Sequence, residues 1–139
     1  MNVNPSNVPD HFELMPPFGP LHEMVGPIYV KGPERGWIAG MRVEQRHHNK
    51  GPILHGGMMA FFVDTAFTFV CMRLRDPTLK ACLTTHLSVN FIGTAMAGDW
   101  IEALVDPIRV GKRVAFLNCL VVKGAERIAS ASALFQLIA

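Results

Sequence analysis

The chain is poor in charge, in tyrosine and in cysteine. Only 17% of its 139 residues are Asp, Glu, Lys or Arg, there is one Tyr, and the thiols are Cys71, Cys82 and Cys119. An odd, widely spaced set of cysteines inside apolar sequence argues against a disulfide framework and for reduced, buried thiols in a cytoplasmic protein. With no CxxC pair, zinc has no support. Thirteen basic residues are interleaved with eleven acidic ones, for a net charge of +2, so nothing points to nucleic acid. The first twenty residues hold five of the ten prolines and no Lys or Arg, unlike a signal peptide. There is no GxSxG elbow and no glycine-rich phosphate loop, which disfavours a serine-hydrolase route and nucleotide hydrolysis.

What the chain does have is hydrophobic residues, at 50% of the total. One domain over 1–139 is expected, with about 1–11 a flexible N-terminal extension. From His11 to Met24 prolines interrupt the apolar residues, which predicts a short helix or turn at the domain edge. Ile28–Val30 reads as a first strand, Gly32–Gly36 as a turn and Trp37–Gln45 as a second strand, followed by a polar loop over Arg46–Leu54. An apolar run from Met58 to Met72 holds a single charge, Asp64. It predicts a helix from about Gly57 to Leu74, stopped by Asp76-Pro77 and suited at its end by Arg73 and Arg75. The run is shorter than the ~20 residues a membrane span needs. Ala81–Ile92, Trp100–Val110, Arg113–Val122 and Arg127–Ile138 then read as an antiparallel meander. In the first of these, alternation puts Leu83, Thr85, Leu87, Val89 and Phe91 on one face and Cys82, Thr84, His86, Ser88 and Asn90 on the other. One long helix against one antiparallel sheet is an α+β domain. Because the helix is apolar nearly all round, a wrapped sheet, a partner subunit or both must cover it.

His55-Gly56-Gly57 opens that helix. Glycines at a helix start leave unscreened backbone N–H groups, a place for an oxygen bearing negative charge. Asp64 lies eight residues beyond Gly56, so along the axis it is roughly 12 Å away at ~1.5 Å per residue. One helix does not bring both groups to one atom. Two copies laid antiparallel would, which predicts a symmetric dimer with two shared sites. A lone carboxylate in an apolar helix is either a charge reaching solvent or a functional group. The glycines can equally serve close packing, and His55 can act as a base or fix the loop. His47, His48 and His55 lack a metal-ligand spacing. Phe61, Phe62, Phe67 and nearby methionines are candidate linings for an apolar ligand.

His48-Asn49, Gly51, His55-Gly56-Gly57 and Asp64 together resemble the hotdog-fold acyl-CoA thioesterases of the phenylacetate-pathway (PaaI-like) group. Phe18-Gly19-Pro20-Leu21 and Gly26-Pro27-Ile28-Tyr29 resemble that group's lead-in. The resemblance implies a hotdog fold, an antiparallel sheet wrapped around one long central helix, in a homodimer that can pair again into a homotetramer. It implies that a thioester carbonyl is polarised by the Gly56 or Gly57 N–H with help from Asn49. Asp64 from the partner subunit would act as general base or nucleophile, and Thr84 would orient water, unless register shifts that role to Thr85. Acyl-CoA is the implied substrate and no further cofactor is needed. Gly57, His86, Lys112 and Arg113 are candidates for substrate binding, the last two for coenzyme A phosphates. Two other readings stay open: a non-catalytic acyl-CoA-binding hotdog module, and a hotdog dehydratase acting on a hydroxyacyl thioester.

Overall fold

A segment with one charge in fifteen residues must be taken out of water, and the rest of the chain does this for helix α2, Gly56–Leu74. In the computed structural model, which describes residues 7–34 and 37–139, the elements before it are β1 (Glu13–Leu14), α1 (Pro20–Val25), β2 (Tyr29–Lys31) and β3 (Trp37–Arg42). A 3-10 turn at Gln45–His47 leads into α2. After it come β4 (Ala81–Phe91), β5 (Trp100–Val110), β6 (Val114–Lys123) and β7 (Glu126–Ile138). The expected flexible start falls partly, and the end of the expected Gly32–Gly36 turn wholly, on residues 1–6 and 35–36, outside the described residues.

The strands form one antiparallel sheet in the order β1-β2-β3-β5-β6-β7-β4, so β4 stands at one edge. The sheet wraps α2, as expected of an α+β domain built on one central helix. Ten residues of α2 are buried, among them Phe62, Val63 and Phe67, which meet Met41, Ile101, Leu117, Ile128 and Phe135 in the core. Fully burying one such side chain is worth ~1.5–3 kcal/mol. Phe62 and Phe67 have no exposed surface, so they belong to the core. The helix has the length and hydropathy of a membrane span, and half of that apolar stretch is buried inside the fold. Arg75 ends it by donating to the Met72 and Leu79 carbonyls, and Asp76 then accepts from the Thr78 N–H and hydroxyl in a turn that Pro77 keeps from becoming helix.

The structure corrects the face assignment of β4. Thr84 pairs with Phe135 but His86 pairs with Leu134, so Thr85 is an extra, bulged residue whose hydroxyl donates to the Leu134 carbonyl at 3.0 Å. The bulge reverses the alternation. Cys82 and Thr84 before it face α2, and Leu87 and Val89 after it also pack toward the core. A second irregularity lies in β5 between Asp106 and Arg109, where Pro107 has no N–H to give the ladder.

Candidate functional site

The α2 carboxylate is not left alone. Asp64 is half-buried, and its Oδ1 accepts a hydrogen bond from the Thr84 hydroxyl at 2.6 Å. A hydroxyl donating to a carboxylate is a charge-assisted bond, strong enough to fix the carboxylate's orientation. The bulge at Thr85 makes this contact possible, since it turns Thr84 toward the helix just before the strand changes phase. Register therefore makes Thr84 the hydrogen-bond partner of Asp64, and the Thr85 hydroxyl serves the Leu134 carbonyl.

At the start of α2, His55 is the N-cap, and its Nδ1 accepts from the Gly57 N–H at 2.7 Å. The bond places the His55 proton on Nε2 and gives the ring a fixing role. A Cβ on Gly57 would come within 2.9 Å of the His55 ring, so the glycine is required for the cap to close. Among the described residues the Gly56 N–H has no acceptor. The helix start thus spends one amide on its cap and keeps another free, with the positive end of the dipole behind it. Phe91 lies 3.4 Å from where a Gly56 Cβ would stand, which gives this amide an apolar wall.

The preceding loop is closed by backbone bonds. Asn49 N–H donates to the Ile53 carbonyl at 2.9 Å, His48 and Leu54 form a bridge, and Leu54 N–H reaches the Ala95 carbonyl. His48 Nε2 accepts from the Ala97 N–H at 2.8 Å, and the Asn49 side chain is exposed. His47 is a residue whose importance the spacing of motifs did not reveal. It is 3% exposed, its Nδ1 accepts from the Glu44 N–H at 3.0 Å, and its Nε2 donates to the Val25 carbonyl at 2.7 Å. With both ring nitrogens committed to backbone, it has no lone pair for a metal.

The thioesterase superfamily model matches residues 51–130, more than half of the chain, a span that includes His55-Gly56-Gly57, Asp64 and Thr84. The chain belongs to the thioesterase superfamily. PA0474 of Pseudomonas aeruginosa, which carries a provisional esterase name, is 30% identical over 132 residues, 94% of this chain and 98% of that protein. Mouse acyl-coenzyme A thioesterase 13 is 29% identical over 83 residues, 58% of this chain and 56% of its own length. The fold matches the PaaI protein of the Escherichia coli phenylacetic acid degradation operon at a TM-score of 0.74, with 21% identity over 86% of this chain and 84% of that one. The chain therefore combines the hotdog fold with membership of the thioesterase superfamily.

Within this superfamily member, the remaining candidates lie apart from Asp64. His86 pairs with Leu134 on the sheet face turned away from α2, with Ser88 beside Ser132 and Asn90 donating to the Ser130 hydroxyl. That placement removes His86 from the cluster. Lys112 and Arg113 are exposed in the turn between β5 and β6, near the far end of α2, where the Lys112 charge helps hold the Asp76 carboxyl below its ordinary range after the two Thr78 hydrogen bonds. By the ~1.5 Å helical rise, Leu74 is roughly 15 Å along α2 from Asp64. A cavity of about 810 Å³ lies between the N-terminal arm, α1 and β2, walled by Phe12, Leu14, Met15, Tyr29 and His22, and Asp64 does not line it.

Proposed function

We propose that this protein is an acyl-CoA thioesterase acting as a homodimer, in which Asp64 of one protomer works beside the Gly56 turn of its partner. The observation that carries the reading is the Thr84-oriented carboxylate on the same helix that offers a free Gly56 N–H. Roughly 12 Å of helix separates the two groups within one chain, so they serve one reacting carbon only across a two-fold axis. Support for that axis comes from the edge position of β4, whose flank exposes Leu83, Phe91 and Ile92 at 53%, 59% and 61%. An unpaired strand edge rimmed by large apolar side chains is a ready surface for a second copy.

In the proposed reaction Asp64 takes a proton from water as the water oxygen bonds to the thioester carbonyl carbon. The carbonyl oxygen becomes an oxyanion held by the Gly56 N–H and Asn49. Collapse breaks the C–S bond, the sulfur receives the proton, and free acid and coenzyme A leave. Direct attack by Asp64 would instead pass through an anhydride that water then opens. Oxyanion donors contribute ~10²–10³ in rate and general bases ~10²–10⁴. The chemistry needs no cofactor beyond the coenzyme A of the substrate, and its phosphates are assigned to Lys112 and Arg113. The proposed location is the cytoplasm.

The test is release of free thiol from a panel of acyl-CoA esters by wild type and Asp64→Asn. Loss of at least 10²-fold in kcat with the fold retained is expected. Equal slow release by both proteins, with binding intact, would instead establish a binding module. Hydration of an enoyl-CoA would establish a dehydratase. A single turnover in ¹⁸O-water tests for direct attack: an unlabelled first acid product with the label on Asp64 means that Asp64 attacked and that water opened the anhydride at the Asp64 carbonyl.

A further inference from the structure

We propose that His47 is a positioning residue for the Gly56 amide, tying the end of α1 to the start of α2 through a neutral imidazole with its proton on Nε2. The inference rests on the reading of Gly56 as the oxyanion donor. Its basis is a continuous run of hydrogen bonds. The Val25 carbonyl accepts from His47 Nε2 at 2.7 Å, the His47 carbonyl accepts from the His55 N–H at 2.8 Å, and His55 Nδ1 accepts from the Gly57 N–H at 2.7 Å. On the other side of the ring, Nδ1 accepts from the Glu44 N–H at 3.0 Å.

Neighbouring bonds give this strap a fixed anchor. Arg46, one residue earlier, donates to the Met24 and Gly26 carbonyls, so three successive carbonyls at the end of α1 are held by two adjacent side chains. Carbonyls at a helix end have no partner inside the helix, and here they are satisfied by the turn that leads to the site. Being 3% exposed, His47 has no water to replace a lost partner. Only one tautomer satisfies both its backbone contacts: the ring must accept at Nδ1 and donate at Nε2. A second proton would set an Nδ1–H against the Glu44 N–H and break that bond. The charged and titratable groups facing the ring are Arg46 and His48, which oppose its protonation, and Glu44, which favours it, while α1 meets it with the Val25 carbonyl. Burial is the largest influence and holds the ring below the ordinary histidine range, so at neutral pH the strap is intact.

The test uses the whole protein with His47→Gln and His47→Asn. The longer Gln amide can still donate toward Val25, whereas the Asn oxygen can still accept from Glu44, and neither titrates. For a positioning role, kcat for acyl-CoA falls about tenfold in each variant while KM changes less than twofold, because the amide is needed most in the transition state. The acid side of the wild-type kcat profile loses one proton's slope in both variants. Amide exchange of His55 and Gly57, followed by NMR without substrate, accelerates in both. This last measurement needs no turnover, so a protein inactive on every thioester still tests the strap, and failure of the activity reading is told apart from failure of this one. In wild type, the Gly57 amide shift should follow the His47 titration, which keeps the test alive if the variants do not fold. Unchanged kcat in folded variants, a rise in KM alone, or unchanged exchange at His55 and Gly57 would overturn the proposal.

Discussion

Replacing Thr84 with Val removes the hydroxyl that donates to Asp64 Oδ1 across 2.6 Å and keeps a branched side chain in its place. A hydrogen bond to a charged group is worth ~1.5–3 kcal/mol. Because Asp64 is half-buried and Thr84 exposed, water can take part of the vacated role, so the lower value of about 1.5 kcal/mol is appropriate. At roughly 1.4 kcal/mol per tenfold change in rate, kcat should fall about tenfold. The assay is thiol release at saturating acyl-CoA. Thr84→Ser restores the hydroxyl and should recover most of the loss. Thr85→Val is the internal control, since that hydroxyl serves the Leu134 carbonyl, and it should alter kcat less than twofold. Full activity in Thr84→Val, or an equal loss in Thr85→Val, would refute the assignment of the bulge.

Acid should destabilise the fold through His22 and His47, both held below the ordinary histidine value by burial, with Glu23 opposing this at His22. A group whose folded pKa is depressed takes up protons first in the unfolded chain, so stability is complete above about 6.5 and declines as pH drops toward the folded values. Urea midpoints measured through that window should fall with pH, and a flat or rising series would contradict it. Burial pushes the Cys119 thiol up to about 12, and burial with contact to Cys82 raises Cys71 further. Since thiolates are the reactive form, a thiol reagent at mildly alkaline pH should leave these two cysteines of the native protein almost untouched and modify all three in denaturant. Gly40→Ala would drive a Cβ into the Trp100 ring and close on Phe12, and should cost ~1–3 kcal/mol in a denaturation curve.

The helix and the four long strands were legible because each is a long local pattern bounded by glycine or proline. The start of α2 at Gly56, one residue earlier than expected, is an ordinary end effect. What the sequence did not show is set by long-range register. Thr84 and Thr85 are of the same residue type, and alternation of Thr, His and Ser reads identically with or without an extra residue in the strand, so the bulge left no local signature. Phe61, Phe62 and Phe67 could not be sorted because α2 lacks a polar face to orient them, whereas in the fold only Phe61 keeps partial exposure, with its ring 6.2 Å from that of His22. His47 could be weighed in the sequence only as a metal ligand, because the partners that give it its role, Val25 and Glu44, contribute main-chain atoms, which carry no sequence signal. Asp64, His55 and the paired glycines stood out for the opposite reason: each departs from its surroundings in charge or size.

The extra residue at Thr85 splits β4 into two sections of opposite phase. Upstream, the side chain turned inward answers to the carboxylate of α2; downstream, Phe91 and the chain beyond it border the open sheet margin. In the proposed dimer, drift in the downstream section would retune how copies of the protein meet without rotating the Thr84 hydroxyl, and deletion of that one residue would join the two tasks into a single rigid ribbon.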